Sequence, residues 1–203
     1  MARTDDFDRS VPLPRGLTIA AISKTIDYVE RGLAKFVDIY FDQANLFSAL
    51  VGIFAIRGLS ANSEFERPRH SDLAQTRFPD LKRRGSGEPA NPEECLECKA
   101  GKRSWELQSH YDHPGWYIVW RYPVDPTCSF AAKRPVVIWR IDVASLQKSD
   151  WKYEGSKASG VGGGRTHTFG VRAAKAKLKG MAVYQRSDAV LSGGKPVPRN
   201  GSA

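Results

Sequence analysis

From Ile19 onward apolar residues recur at Ile22, Ile26, Val29, Leu33, Phe36, Val37, Tyr40, Phe41 and Ala44, in alternating steps of three and four. That spacing puts them on one side of a 3.6-residue turn and predicts an amphipathic helix. The run at 46–56 is apolar on nearly every side, as expected of a second, buried helix or a continuation of the first, with Gly58 as its stop. Residues 60–76 are polar, contain Pro68, and read as a loop with at most one short strand.

Beyond Thr76 the texture changes to short apolar runs. A brief run at 77–81 and a second at 94–100 flank a Gly, Pro and Ser-rich loop at 84–92, which suits a hairpin. Residues 104–111 predict a short helix with Ser104 as N-cap, stopped by Pro114 and Gly115. The stretches 116–122 and 135–143, rich in Trp, Tyr, Val and Ile, predict central strands. A strand at 166–171, a helix at 172–179 and a last strand at 181–184 follow. The order of elements implies an α/β or α+β fold, one domain with a central mixed sheet flanked by helices. Residues 1–17 read as a loose arm, 18–187 as the folded domain with 151–187 its basic part, and 188–203 as a disordered tail.

Composition narrows the class. The chain has 203 residues, 41% of them apolar, which is enough for a real core and too apolar for disorder. Its longest apolar run has 11 residues, well short of the roughly 20 that span a bilayer. Asp5, Asp6 and Asp8 argue against a secretory signal, and three cysteines are too few for a disulfide framework, so a reducing cytoplasm is the expected compartment.

Charge adds a partner. Net charge is +9, and from Trp151 to the end ten Lys and Arg stand against Glu154 and Asp188. That quarter therefore carries +8 of the +9, an asymmetry that points to a polyanion. A solvated basic tail is the plainer alternative. Arg165, Arg172, Lys175, Lys177 and Lys179 lie in a segment that looks folded, and Lys82, Arg83, Arg84, Lys102 and Arg103 flank the acids described next. These ten are the candidate DNA contacts, mainly to phosphates.

The candidate chemistry is Pro79-Asp80 and, seventeen residues after Asp80, Glu97-Cys98-Lys99. On a strand, Glu97 and Lys99 project to one face while Cys98 faces the other. A hairpin through 84–92 would bring Asp80 beside them. Two carboxylates and an amine converging at a sheet edge suit Mg²⁺, which takes one or two carboxylates and keeps several waters. An acid followed two positions later by Lys is cheap as a signal, since Asp80/Lys82 and Asp150/Lys152 match it too. A surface salt bridge explains such pairs unless the strand is buried, where an unpaired charge is costly.

The segments "RFPD" and "ECLECKAGKR" resemble the PD-(D/E)xK phosphodiesterase superfamily, that is, restriction-endonuclease-like nucleases and archaeal-type Holliday junction resolvases. The order of leading helix, Asp strand, Glu-x-Lys strand, helix and further strands agrees. The resemblance implies a restriction-endonuclease-like fold and a Mg²⁺-dependent DNA endonuclease, with Asp80 and Glu97 as metal ligands and Lys99 as the catalytic lysine. A type II restriction enzyme acting on double-stranded DNA, with homodimerisation as the family habit, is the expected role. A junction or repair nuclease and a non-catalytic basic DNA-binding module are the alternatives. Many members add an acid from the leading helix; Glu30, inside the apolar stripe, is the candidate, and an acid at the stripe's margin in water is the plain reading.

Other signals weigh less. Cys95 and Cys98 would face opposite sides of a strand, and no second pair exists for zinc. His110 and His113 bracket a turn and are either substrate contacts or surface residues. Residues 160–164 lack the Gly-Lys-Ser/Thr of a P-loop, leaving a basic backbone-tracking loop or a linker. Trp116, Trp120 and Trp139 lie in strand-like runs and suit core packing, whereas Trp105 and Trp151 are open to other uses.

Overall fold

Thr18 opens the first helix by accepting a hydrogen bond from the Ala21 amide at 3.1 Å, which satisfies one of the free amides of the first turn. The computed structural model of the chain describes residues 2–68, 78–87, 90–104, 107–109, 112–153, 169–171 and 177–199. Helix α1 (Ile19–Leu33) buries Ile22, Ile26, Val29 and Leu33, the predicted stripe. The stripe runs on, but the helix breaks. A 3-10 turn at Ala34–Phe36 leads into α2 (Val37–Asp42), and Gln43, at φ −152° and ψ 88°, separates it from α3 (Ala44–Asn62). Past the break the stripe no longer marks a buried side. Tyr40 packs edge-on to Phe47 at 5.7 Å, but no residue of α2 is buried, and Phe36 and Phe41 are 41% and 63% exposed.

Helix α3 ends at Asn62, past the predicted stop at Gly58. Gly58 instead allows α3 to approach α1, since a Cβ there would lie 2.7 Å from the Thr25 methyl group. Among the described residues no helix is long and apolar enough to cross a membrane.

The strands are β1 (Phe65–Glu66), β2 (Leu81–Arg83), β3 (Cys95–Gly101), β4 (Gly115–Arg121), β5 (Arg140–Leu146), β6 (Trp151–Tyr153), β7 (Phe169–Val171), β8 (Ala182–Gln185), β9 (Ala189–Ser192) and β10 (Lys195–Pro198). Six of them form one sheet in the order β1-β2-β3-β4-β5-β8. Strands β3 and β4 run parallel, with Leu96 opposite Trp116 and Gly101 opposite Arg121, and the other pairs are antiparallel. The domain is therefore mixed α/β around a mixed central sheet.

Alternation along these strands makes two apolar layers. Leu96, Cys98, Ile118, Trp120, Ile141 and Val143 join α1 and α3 in the main core. Tyr117, Val119, Ala144 and Leu146 face the other way, beneath Leu107 and Leu178. Each fully buried aliphatic side chain in these layers contributes about 1.5–3 kcal/mol relative to exposure.

Four expectations change. The arm at 1–17 is docked: Asp8 N donates to the Val183 carbonyl at 3.1 Å, Asp6 accepts from Ser187 N at 2.9 Å, and Val11 and Leu17 are buried. It satisfies the outer edge of β8, which the sequence alone does not reveal as an edge. The tail at 188–203 contains an antiparallel hairpin, β9 with β10, because Gly193 and Gly194 supply the two positive φ values, 57° and 78°, that a tight primed turn needs. Residues 107–109 are not helical; Leu107 is drawn onto the second apolar layer instead. The strand expected at 135–143 begins only at Arg140, although Val136 makes an isolated bridge to Val124. The expected strand at 166–171 is represented by β7, paired with β6, and the expected helix at 172–179 by a helical turn at 177–179.

Candidate active site

Strand β2 pairs with the start of β3, Leu81 opposite Leu96 and Lys82 opposite Cys95. One step back along that antiparallel register sets Asp80 across from Glu97. The Asp80 amide donates to Glu97 Oε2 at 3.2 Å, and Asp80 Oδ2 accepts from the Cys98 amide at 2.9 Å. Two residues along the same face, Lys99 Nζ donates to Glu97 Oε1 at 2.7 Å. The Glu97 carboxylate is buried and holds a different partner on each oxygen, whereas Lys99 keeps 22% of its side chain exposed.

Crowding these acids has an electrostatic cost. Burial, and then the neighbouring Glu97 charge, push the Asp80 carboxyl from its ordinary 3.8 up to about 7, against the opposing pull of the Cys98 amide, Lys99 and Arg67. A hard divalent cation would relieve that repulsion. Among the described residues no three His, Cys, Asp or Glu side chains gather around one point. Two carboxylates are sufficient for Mg²⁺, so the donor set of Asp80 and Glu97 fits this ion.

Between Glu97 and Lys99, Cys98 turns into the main core, where burial and then the Asp80 and Glu97 charges hold its thiol well above its ordinary range. Cys95 Sγ lies 3.8 Å from the Ala90 carbonyl, on the other face of β3. Neither forms a disulfide among the described residues.

Glu30 has a different role from the one expected. One of its oxygens accepts from Arg134 Nη1 at 2.6 Å and the other from the Ile138 amide at 3.0 Å. It thus ties α1 to the chain leading into β5, and Asp27 shares Arg134 at 2.7 Å. A buried acid in an apolar stripe needs a reason, and here the reason is an ion pair across 104 residues rather than the Asp80 corner.

The basic residues divide similarly. Arg84 donates to the carbonyls of Ser60 and Ser63 at 2.6 and 2.8 Å, capping the end of α3, and Arg83 is paired with Glu94. Lys177 pairs with Asp150 at 2.6 Å, while the Lys179 side chain is exposed. Arg165, Arg172 and Lys175 lie outside the described residues, as do His110, Trp105 and the 160–164 loop. Lys82 lies on β2, opposite Glu66 and Cys95.

Lys102 and Arg103 continue β3 into a cleft of about 970 Å³ between α3 and the end of β3. Asp80 and Lys99 line it too, with Arg67 and Arg121. Arg121 is buried and held by Asp142 at 3.2 Å, with the Arg103 carbonyl 2.8 Å from its Nη1. Arg140 completes the set at 2.6 Å from Asp142, whose carboxyl burial raises despite both guanidinium groups. Sequence reasoning missed Arg67, Arg121 and the α3 wall of the cleft. Arg67 stands in a charged stretch with no local pattern, and only the fold brings it to Asp80.

His113 stacks on Phe78 with ring centroids 4.7 Å apart and accepts on its carbonyl from the Tyr117 hydroxyl at 2.8 Å. Trp120 and Trp139 are buried, Trp116 donates to Glu93 at 3.1 Å, and Trp151 packs on Tyr117 at 5.2 Å. None of three comparisons finds a relative: no family model, no curated protein and no solved structure matches the chain.

Proposed function

We propose that the chain is a Mg²⁺-dependent DNA endonuclease of the PD-(D/E)xK kind, with a restriction-endonuclease-like fold and, in its finer form, a type II restriction role on double-stranded DNA. The observation that carries this reading is the corner in which Asp80, Glu97 and Lys99 are linked by hydrogen bonds at the edge of a basic cleft. The antiparallel pairing of β2 with β3 and the parallel pairing of β3 with β4 support it, as does a leading helix packed behind them. Symmetric pairing of two copies on duplex DNA belongs to the same proposal.

Asp80 and Glu97 would hold the ion, which when bound polarises a phosphoryl oxygen and offsets the charge that develops there. Lys99 is tethered through one N–H to Glu97 and directs its remaining donors to the attacking water. The water oxygen bonds to phosphorus as it gives a proton to surrounding water, the bond from phosphorus to the leaving sugar oxygen breaks, and that oxygen takes a proton back from surrounding water. Glu97 keeps the amine in position. Lys102 and Arg103 hold neighbouring phosphates, which fixes the strand without reading its sequence.

Incubating long phage DNA with the protein in Mg²⁺, and separately in excess chelator, tests the reading on a gel. Discrete fragments in Mg²⁺ alone fit a restriction role, and selective cutting of branched DNA fits a junction or repair nuclease. Absence of any Mg²⁺-dependent product leaves a basic binding module.

A further inference from the structure

Three glycines interrupt the α1–α3 pair, and two of them have a packing reason. A Cβ at Gly32 would collide with the Phe54 ring, and one at Gly58 would press on Thr25. At Gly52 a Cβ would meet no atom of the described residues within 4 Å. Glycine inside a helix weakens it relative to alanine, so this position needs a reason outside the fold. Gly52 opens onto the cleft beside Ala49, Ile53 and Ile56, and Ile53 is 41% exposed. Together they make a low aliphatic wall in a cleft that also holds Arg67, Lys102 and Arg103. Lys102 is braced there, with its Nζ 3.4 Å from the Tyr40 hydroxyl and 5.0 Å from the centre of that ring.

A cleft that is aliphatic on one side and cationic on the other selects a ligand with both characters. Duplex DNA offers such a wall phosphates, sugar edges and groove edges, but its base faces are stacked inside. An unpaired strand offers those base faces, the largest apolar surfaces of a nucleotide. The volume of about 970 Å³ lies at the upper end of the roughly 300–1,000 Å³ of small-ligand sites, which is room for a few nucleotides of one strand.

We infer that this cleft binds an unpaired stretch of DNA, with base faces against Ala49, Gly52 and Ile53 and phosphates on Arg67, Lys102 and Arg103. The role of this strand as substrate rests on the nuclease reading, with the scissile phosphate at Lys99; its binding does not. On that reading duplex DNA is opened at the site, so that one unpaired strand reaches Lys99.

Fluorescence anisotropy in chelator tests it, with an oligonucleotide of about 16 nucleotides, as single strand, blunt duplex and forked duplex. Single-stranded and forked DNA should bind at least about ten-fold tighter than blunt duplex. Gly52→Leu fills the cleft at a position with free space and better helix propensity, so its melting temperature should hold or rise while single-strand affinity falls about ten-fold. Ile53→Asp, at an exposed site, should weaken single-strand binding in the same direction. Equal affinity for blunt duplex and single strand, or folded variants that keep full single-strand affinity, would overturn the inference. Parallel reactions in Mg²⁺ keep the two readings apart. Blunt duplex cut by a protein whose variants bind normally sinks the cleft inference alone; selective single-strand binding without cleavage supports that inference and sinks the nuclease reading alone.

Discussion

The Cys98 amide donates to Asp80 Oδ2 at 2.9 Å, so the strand that carries Glu97 and Lys99 also fixes the acid that precedes β2. The corner is built by main-chain pairing, and its side chains are crowded as a consequence. That crowding can be measured in the absence of any substrate.

Asp80→Asn should stabilise the protein in a pH-dependent way. With its folded-state pKa raised from 3.8 to about 7, Asp80 binds its proton more tightly in the folded chain, so wild-type stability falls as pH rises from about 4 to about 7. Asn has no proton to lose. The variant should match wild type near pH 3.5 and exceed it at pH 8 by roughly 1–2 kcal/mol, after discounting for solvent contact, which is about 2–8 °C in melting temperature. Mg²⁺ at pH 8 should raise the wild-type midpoint and leave that of the variant nearly unchanged. Calorimetric scans at the two pH values check both statements.

Glu30→Ala should behave as a structural lesion. It leaves Arg134 without one of its carboxylates and the Ile138 amide without an acceptor, at a cost of about 2–4 kcal/mol by urea unfolding. The Mg²⁺-induced rise in melting temperature should persist in the variant at a temperature where it is folded. Loss of that rise alone would return Glu30 to the metal corner.

Lys102 and Arg103 should separate from Arg84 by salt dependence. Neutralising Lys102 and Arg103 should weaken binding to every DNA sequence and lower the slope of log affinity against log salt by about 2. Arg84→Ala should leave the slope unchanged and cost about 1–2 kcal/mol of stability, because Arg84 caps α3. Binding titrations across a salt series distinguish the two outcomes.

The Asp80, Glu97 and Lys99 corner is legible in the sequence because local rules govern it. Period two along a strand aligns Glu97 with Lys99, and hairpin pairing brings Asp80 across. The role of Glu30 depends on Arg134, a partner 104 residues away that no periodicity announces. The helical stripe from Ile19 is read correctly as a buried side as far as Leu33 but not beyond it, where the axis breaks and Phe36 and Phe41 stay exposed. The docked arm and the 189–198 hairpin escape notice because docking at a sheet edge and a Gly-Gly turn both look like disorder in composition. The cleft joins α3 to the end of β3, and that meeting follows from topology alone.

Cleavage by Lys99→Ala, measured beside its DNA affinity, tests the central claim most directly. In Mg²⁺ the wild-type protein should cut DNA and the variant should lose at least about a hundred-fold in rate, as loss of a group that orients the nucleophile does, while binding DNA in chelator with little change. Undiminished cutting by the variant, or no Mg²⁺-dependent cutting by the wild type on linear, branched or single-stranded DNA, would contradict it.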